Sequence, residues 1–343
     1  MRKNKFSLDK FIENSLYDKR NGYYMKNNPI GNKGDFITAP EISVLFSEMI
    51  SIWLVGFWEN LGKPKKINII ELGAGTGEMM FQINKSLKNF EIFKKSCEFY
   101  ILEKSPQLMK IQKKKNRLFK IKWIDKLNKI KSFPTIIIAN EFFDALPVKQ
   151  YKKLGKAWYE RYVVKNNDKY EFKDEEIKFH EIEKNLGEKV QKNEKFIEFS
   201  PRSNEKISEI SKIIKKNNGG ALIIDYGYLG KKMLDTVQSV KNHKKTDILK
   251  NIYQSDITHL LNFNFYKKKF NKKLDKIKII SQRKFLINMG ILHRAEILSK
   301  NLTFHQKTDL YYRVQRLIDS QQMGELFKVM FVTNRQNNFS MGF

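Results

Sequence analysis

Three glycines at alternating positions, Gly73, Gly75 and Gly77, directly follow a short apolar run in this sequence. The run, Ile67-Asn68-Ile69-Ile70-Glu71-Leu72, is rich in residues that favour β-strands. Because glycine has no side chain, the backbone can turn sharply at these positions and approach a ligand closely. Apolar residues at helical spacing come next. A strand, a glycine loop and a helix in this order are typical of the first turn of a doubly wound sheet that binds a nucleoside-containing cofactor.

The spacing of these glycines favours S-adenosylmethionine (SAM) over a dinucleotide. It is G-x-G-x-G, whereas dinucleotide sites use G-x-G-x-x-G. SAM has no pyrophosphate, so the loop must admit only an amino-acid tail and a ribose. Glu103 follows the next strand-like run, 99–102, and is predicted to accept hydrogen bonds from both ribose hydroxyls. The predicted cofactor-binding residues are Glu71, Gly73, Gly75, Gly77 and Glu103. The alternative is a tight turn that binds no ligand.

A third strand-like run, 135–139, is followed by Asn140 and Glu141, and Asp144 comes shortly after. Ligands of doubly wound sheets lie beyond the carboxyl ends of the strands, so these side chains should face the glycine loop. A carboxylate held against a guanidinium can fix its plane through bidentate hydrogen bonds. We predict Glu141, Asp144 and Asn140 as catalytic residues. The structural alternative is that Asp144 caps a turn and Glu141 pairs with a lysine.

A second dense segment is Gly34-Asp35-Phe36-Ile37-Thr38-Ala39-Pro40-Glu41. Thr38 is predicted to cap the helix that carries the following apolar residues, and Pro40 and Glu41 suit its first turn. Asp35 precedes the helix and is not needed for capping. We therefore add Asp35 to the predicted catalytic residues, as a group that contacts substrate or closes the cofactor pocket.

Several motifs, taken together, resemble the MidA-like SAM-dependent methyltransferases. That family includes the mitochondrial arginine methyltransferase that assists assembly of respiratory complex I. The matching segments occur in the order of the family. They are residues 22–24, 31–43, 71–77, 103–106, 139–148, 225–228, Gln282 with 285–286, 290–291 and 323–328.

The resemblance implies a fold, a cofactor and an acceptor. The fold is α/β: a doubly wound, Rossmann-like class I methyltransferase sheet with an N-terminal helical section and an inserted α+β segment. The cofactor is SAM. The acceptor is an arginine side chain of a protein, on a complex I subunit.

The match to the family breaks down at residues 256–263. The family shows D-x-T-A-H-V-D-F there, and this chain reads Asp256-Ile257-Thr258-His259-Leu260-Leu261-Asn262-Phe263. The histidine position holds Leu260 and the second acidic position holds Asn262. No role is predicted for this segment.

Two other classes of function stay open on the sequence. The first is an RNA or small-molecule methyltransferase, which the basic charge favours. Enzymes that methylate base amino groups carry N/D-P-P-Y/F/W after the fourth strand, and Asn140-Glu141-Phe142-Phe143 lacks the prolines. The second is a non-catalytic assembly chaperone that keeps SAM as a structural ligand.

Composition limits the remaining possibilities. The 343 residues carry a formal net charge of +29, from 66 basic and 37 acidic residues. The lysines are spread along the whole chain without arginine–aromatic repeats, so specific nucleic-acid binding is not predicted. One cysteine and five scattered histidines indicate no metal site. No apolar run approaches a membrane span, and no apolar leader is apparent. We predict a cytoplasmic protein.

The pattern of the chain predicts five sections. Residues 1–62 form an N-terminal helical section on the substrate side, and 63–149 form the first part of the SAM-binding core. Residues 150–215 are an insertion with hairpin strands near 157–164. Residues 216–335 complete the core and contain lysine-rich loops and helix. Residues 336–343 are a polar tail that we expect to fray.

Overall fold

The computed structural model describes residues 4–26, 31, 34–35, 37–167, 169–191, 193–334 and 337–343. Three residues of the segment 31–43, Asn32, Lys33 and Phe36, lie outside the described residues. The described chain forms an eight-stranded, a five-stranded and a three-stranded sheet.

The elements follow in chain order. The strands are β1 (Asn4–Ser7), β2 (Ile67–Leu72), β3 (Cys97–Leu102), β4 (Ile121–Ile124), β5 (Thr135–Asn140), β6 (Lys149–Leu154), β7 (Ala157–Asn166), β8 (Lys169–Ile177), β9 (Phe196–Phe199), β10 (Gly219–Tyr228), β11 (Gln238–Lys241), β12 (Lys244–Thr246), β13 (Asp256–Thr258), β14 (Leu261–Asn262), β15 (Lys276–Ser281) and β16 (Phe327–Thr333). The helices are α1 (Leu8–Tyr17), α2 (Tyr23–Lys26), α3 (Ala39–Ile42), α4 (Val44–Asn60), α5 (Glu78–Ser86), α6 (Glu91–Ser96), α7 (Pro106–Lys115), α8 (Phe179–Leu186), α9 (Pro201–Asn217), α10 (Phe263–Asn271), α11 (Gln282–Asn288), α12 (Ile291–Ser299), α13 (Phe304–Ile318) and α14 (Met323–Leu326). Short 3-10 turns occur at Leu87–Asn89 and Leu127–Lys129.

The large sheet is doubly wound. Its strand order is β15-β16-β10-β5-β2-β3-β4, and β14 pairs with β10. The strands from β10 to β4 run parallel, and β16 is antiparallel to both of its neighbours. The winding reverses between β2 and β5, so a crevice for a ligand opens beyond the ends of these two strands. The sequence-based α/β fold class is therefore confirmed.

Continuous apolar runs form the centre of this sheet because helices cover both of its faces. All six residues of β2 and of β5 are buried. Helix α4 packs apolar residues, including Trp53, Leu54 and Phe57, into the core on one side. Helix α9 packs Ile207, Ile210 and Ile214 on the other. In the described residues, no helix is long and apolar enough to cross a membrane.

The smaller sheets contain strands where the sequence indicated loops and helices. The section 1–62 begins with β1, which pairs antiparallel with β7 of the five-stranded sheet. The section 150–215 ends in α9, which belongs to the core of the large sheet. The lysine-rich stretch after 231 forms the three-stranded sheet β12-β11-β13. The strands β1, β11, β12 and β13 are three to four residues long, too short for a period-two pattern to reveal them.

The C-terminal tail does not fray in its described part. The Phe339 ring lies among Phe57, Trp53 and Phe331, with centroid separations of 5.1, 5.6 and 6.0 Å. Phe343 packs on Phe285 and Phe331. The expectation of fraying was wrong because two aromatic residues in an otherwise polar tail suffice to anchor it to a buried aromatic cluster.

We expect Phe339→Ala to lower the free energy of unfolding by about 3 kcal/mol, the usual range for removing a buried phenylalanine ring. Urea denaturation followed by circular dichroism measures this. Phe304→Ala is the matched control, because Phe304 is 81% exposed. An unchanged unfolding midpoint for Phe339→Ala would mean that the tail is not docked.

Candidate active site

A cavity of about 980 Å³ lies where the ends of β2, β3 and β5 meet. Its wall on one side comes from the glycine loop and the residues that follow β3. On the other side it comes from residues 140–147, from helix α1 and from the three-stranded sheet. The cavity therefore joins the predicted cofactor residues to the predicted catalytic residues.

The glycine loop requires glycine for its backbone conformation. Gly73, Gly75 and Gly77 have φ angles of 61°, 52° and 81°, in the left-handed region that favours glycine. A Cβ on Gly73 would also lie 2.8 Å from Cδ2 of Phe142. All three glycines thus keep the loop open, and Gly73 and Gly75 line the cavity.

Oε2 of Glu71 and Oδ1 of Asn140 are buried acceptors without a hydrogen-bond partner among the described residues, and both residues line the cavity. Burial raises the pKa of Glu71 to about 8, and the nearby Glu103 carboxylate contributes to the rise. Unpaired buried acceptors are costly. A cationic donor, such as an amino group, is the kind of ligand that such acceptors suit.

Glu103 lies at the end of β3 and is held by three donors. Its Oε1 accepts from the amides of Lys104 and Ser105, both at 2.8 Å, and its Oε2 accepts from Nε2 of Gln112 at 2.7 Å. Gln112 also donates to the carbonyl of Gly75 at 2.9 Å. Burial raises the pKa of Glu103. Gln112 therefore fixes the acid and the glycine loop relative to each other, which no sequence motif indicated.

Glu141 follows β5 in a left-handed conformation, with φ 50°. Its Oε1 accepts from the amide of Ala39 and from Nδ2 of Asn140, each at 3.2 Å. Burial raises the pKa of Glu141 to about 8, and the Asp144 carboxylate raises it further. A non-glycine residue with positive φ costs about 1 kcal/mol or more and is concentrated at functional sites. The structure thus brings Glu141 and Asn140 to the cavity in a strained backbone.

Asp144 is 5% exposed and also lines the cavity. Its Oδ2 accepts a hydrogen bond from the hydroxyl of Tyr226, and its Oδ1 is buried without a partner among the described residues. Burial raises the pKa of Asp144. The alternative role as a turn cap belongs to Asp225 instead, whose Oδ2 accepts from the amides of Phe143 and Asp144 at 3.1 and 3.2 Å.

Asp35 does not reach the cavity wall. Its Oδ2 accepts from the hydroxyl of Tyr23 at 2.5 Å, and its Oδ1 accepts from the amide of Asn242 at 2.6 Å. Asn242 lies in the turn between β11 and β12, and β11 covers the cavity through Gln238 and Val240. Asp35 therefore joins its own segment to this hairpin through its two carboxylate oxygens.

The capping prediction for the segment 38–41 holds in position for the short helix α3, where Thr38 is the N-cap residue and Pro40 and Glu41 lie in the first turn. It is wrong for the side chain of Thr38, which makes no capping hydrogen bond, and Ser43 caps the long helix α4 by accepting from the amide of Leu45. Glu41 also accepts from Oγ1 of Thr76 in the glycine loop at 2.8 Å. This contact joins two segments 35 residues apart, which local helix rules cannot anticipate.

The segment 256–263 contributes to the cavity although no role was predicted for it. Asp256 and Thr258 line the wall, together with Tyr17 and Tyr24 of the N-terminal section. Asn262, at the position of the second acid of the family, caps α10 by accepting from the amide of Phe265 at 3.1 Å, as an aspartate could. In the described chain, no group of three or more histidine, cysteine or acidic residues could hold a metal ion.

Residues 49–279 match a family model described as "Putative S-adenosyl-L-methionine-dependent methyltransferase". Relatives over nearly the whole chain include the Protein arginine methyltransferase NDUFAF7, mitochondrial, of Xenopus laevis. It is 29% identical and covers 95% of this chain and 80% of its own length. The Homo sapiens protein of the same name is 28% identical, and the match covers 94% of this chain and 78% of the human protein.

Solved structures share the fold. A Burkholderia thailandensis protein bound to S-adenosyl-homocysteine superimposes with a TM-score of 0.82 at 21% identity, covering 98% of this chain and 90% of that one. A native structure from the same organism gives a TM-score of 0.81 at 22% identity, and the match covers 98% of this chain and 89% of that one.

The predicted cytoplasmic location is contradicted by these comparisons, because the curated relatives are named as mitochondrial proteins. The prediction rested on one cysteine and on the absence of an apolar leader. Neither feature distinguishes between reducing compartments.

The buried carboxyl of Glu71 should make stability depend on pH. Its folded pKa of about 8 lies above that of an unfolded glutamate, about 4.3. Between these two pKa values the folded state therefore keeps a proton that the unfolded state loses. The stability that this proton contributes is fully present below about pH 4 and is lost as the pH rises to about 8. Glu71→Gln has no proton to lose. The variant should gain stability relative to the parent between pH 5 and 8, by about 2 kcal/mol or more, and change little above that.

Urea denaturation at five pH values between 5 and 9 measures this difference. Glu91→Gln, in which a side chain 73% exposed is changed, is the control and should show no pH-dependent difference. A difference between Glu71→Gln and the parent that stays constant over the range would mean that Glu71 ionises normally.

Proposed function

The chain belongs to the MidA-like family of SAM-dependent methyltransferases, and on that premise we propose that it transfers methyl groups to arginine side chains of a protein. Membership rests on the family model, which matches residues 49–279, about two thirds of the chain. The arginine acceptor is supported by the names of the curated relatives and by the charge of the cavity.

The cofactor side of the cavity fits SAM. The open glycine loop would admit the amino-acid tail, and the unpaired Oε2 of Glu71 and Oδ1 of Asn140 would accept from its amino group. Glu103 at the end of β3 would accept from the ribose hydroxyls. When bound, SAM would supply a methyl group on a positively charged sulfur; the acceptor nitrogen would bond to the methyl carbon, and the sulfur would leave. The chain's own contribution is to hold donor and acceptor in line.

The charge of the acceptor side carries the proposal. Glu141, Asp144 and Asp256 line one cavity, and none forms an ion pair with a lysine or arginine among the described residues. This acidic lining stands out in a chain with a net charge of +29. Burial without a paired cation disfavours the ionised form of these carboxyl groups, and a cationic acceptor would stabilise that form. A guanidinium is a cation that matches carboxylates geometrically.

Two residues would act on the acceptor. Glu141 would hold one edge of the guanidinium and fix its plane, so that one nitrogen faces the methyl group. Methylation replaces an N–H bond with an N–C bond and releases one proton. The unpartnered Oδ1 of Asp144 is suited to accept that proton. Asn140 would keep Glu141 in place through the 3.2 Å hydrogen bond to its carboxylate.

We propose a respiratory complex I subunit as the acceptor protein, on the resemblance to the family that contains a complex I assembly factor. The purified chain is incubated with radiolabelled SAM and a lysate that lacks it, and the protein fraction is hydrolysed. The expected result is label in methylated arginine of one protein. Label confined to RNA or to small molecules would contradict the proposal.

Glu103→Gln should weaken SAM binding by about tenfold or more, because losing a charged acceptor for a ribose hydroxyl costs roughly 1.5–3 kcal/mol before desolvation. The amide oxygen can still accept from Lys104 and Ser105, which keeps the side chain in place, whereas the hydrogen bond from Nε2 of Gln112 is lost. Isothermal titration calorimetry with SAM measures the dissociation constant. Glu98→Gln, also in β3 but paired with surface lysines, is the control. Equal SAM affinities of the parent, Glu103→Gln and Glu98→Gln would exclude Glu103 from the cofactor site.

Glu141→Gln should lower the single-turnover rate of methyl transfer by about 100-fold, the scale of losing one preorganised electrostatic contact. SAM affinity should stay within a few-fold of the parent, because Glu141 would contact the acceptor. Glu198→Gln is the matched control: Glu198 is another buried acid with a pKa near 7, and it lies outside the cavity wall. Full activity in Glu141→Gln would remove this residue from the mechanism, and loss of SAM binding would assign it to the cofactor side.

A further inference from the structure

Asp256 is a buried carboxylate that the mechanism above does not use. It is 5% exposed and lines the cavity at the start of β13. Its Oδ1 accepts from the hydroxyl of Tyr24 at 2.8 Å and from the amide of Ile257 at 2.9 Å. Its Oδ2 receives no hydrogen bond from the described residues. One oxygen is thus fixed by the fold, and the other stays available in the cavity.

Asp256 and Asp144 are neighbours although they are far apart in sequence. The amide of His259, just after β13, donates to the carbonyl of Asp144 at 3.1 Å, so β13 runs beside the 143–146 turn. Burial raises the pKa of Asp256 to about 7, and among the nearby charges the Asp144 carboxylate adds most to the rise. The two acids therefore line the same part of the cavity, and each has one oxygen without a partner among the described residues.

Three tyrosines hold this pair in position. The hydroxyl of Tyr226 donates to Asp144 and that of Tyr24 donates to Asp256. Tyr17 stacks on Tyr24 with a centroid separation of 5.6 Å and an interplanar angle of 21°, and its hydroxyl donates to the carbonyl of Ala145 at 3.2 Å. Tyr17, Tyr24 and Tyr226 all line the cavity. The carboxylates are thus presented beside aromatic rings.

We propose that Asp256 is a third acceptor-site carboxylate, beside Glu141 and Asp144, and that together with Asp144 it selects a guanidinium over an ammonium. This inference rests on the proposed arginine acceptor and names the group that sets the specificity.

The selectivity follows from the shapes of the two cations. A guanidinium is planar and offers five N–H donors along its edges, so separate carboxylates can each bond a different edge. An ammonium concentrates its charge and three donors at one point and is more strongly hydrated, so it loses more on entering a buried site. Aromatic rings also stack on a guanidinium plane, which an ammonium lacks.

Small probes test the selectivity without the acceptor protein. The chain, saturated with S-adenosyl-homocysteine, is titrated with Nα-acetyl-arginine amide and with Nα-acetyl-lysine amide, and binding is followed by NMR. The parent should prefer the arginine probe by about tenfold or more, the scale of one bidentate charge-assisted contact. Asp256→Asn keeps an Oδ1 acceptor for Tyr24 and Ile257 but loses the charge. It should lose most of this preference while binding S-adenosyl-homocysteine within about twofold of the parent.

Asp247→Asn is the matched control, because Asp247 lies between β12 and β13 and is exposed to solvent. It should behave as the parent. An Asp256→Asn protein with unchanged preference would overturn the proposal, as would a parent that binds both probes equally. Loss of S-adenosyl-homocysteine binding would assign Asp256 to the cofactor side and overturn it too. Failure of the proposed function has a different signature, the absence of methylated arginine from the lysate assay with the parent.

Discussion

The site depends on one constraint: several carboxyl groups are buried at one sheet edge, and none of them is paired with a cation of the described chain. Glu71, Glu141, Asp144 and Asp256 all line the same cavity. Burial raises the pKa of each, so near neutral pH these groups hold protons more readily than ordinary acids. A positively charged methyl donor and a positively charged acceptor would each stabilise the ionised form of these carboxyl groups. The burial of these acids therefore favours the binding of cations in the cavity.

The surrounding structure keeps these acids from relaxing toward solvent. The switch point between β2 and β5 places the glycine loop opposite Asn140 and Glu141, and the buried Asp225 anchors the turn after β5. Gln112 joins the loop to Glu103. Contacts from the N-terminal section complete the arrangement, since Ala39 holds Glu141 by a 3.2 Å hydrogen bond. The site is therefore assembled from separate parts of the chain on one rigid sheet.

The features that the sequence predicted well are local ones. The strands that became β2, β3, β5 and β10 each form a continuous apolar run, and the alternating glycines signal the turn after β2. Contacts between distant segments could not be predicted. Tyr24 and Asp256 are 232 residues apart, and Asp35 meets Asn242 across 207 residues. Asp35 was assigned to the site because it was not needed for capping; its partner Asn242 could not be predicted, because it lies in a hairpin of strands three to four residues long, with no periodic signal.

The central claim is that donor and acceptor bind at the adjacent ends of β2, β3 and β5, in one cavity. A crystal structure of the chain with S-adenosyl-homocysteine and Nα-acetyl-arginine amide tests it most directly. We expect the amino group of the cofactor product at Glu71 and Asn140, its ribose at Glu103, and the guanidinium between Glu141 and the pair Asp144 and Asp256. A guanidinium bound away from these carboxylates, or a cofactor product outside the glycine loop, would contradict the account.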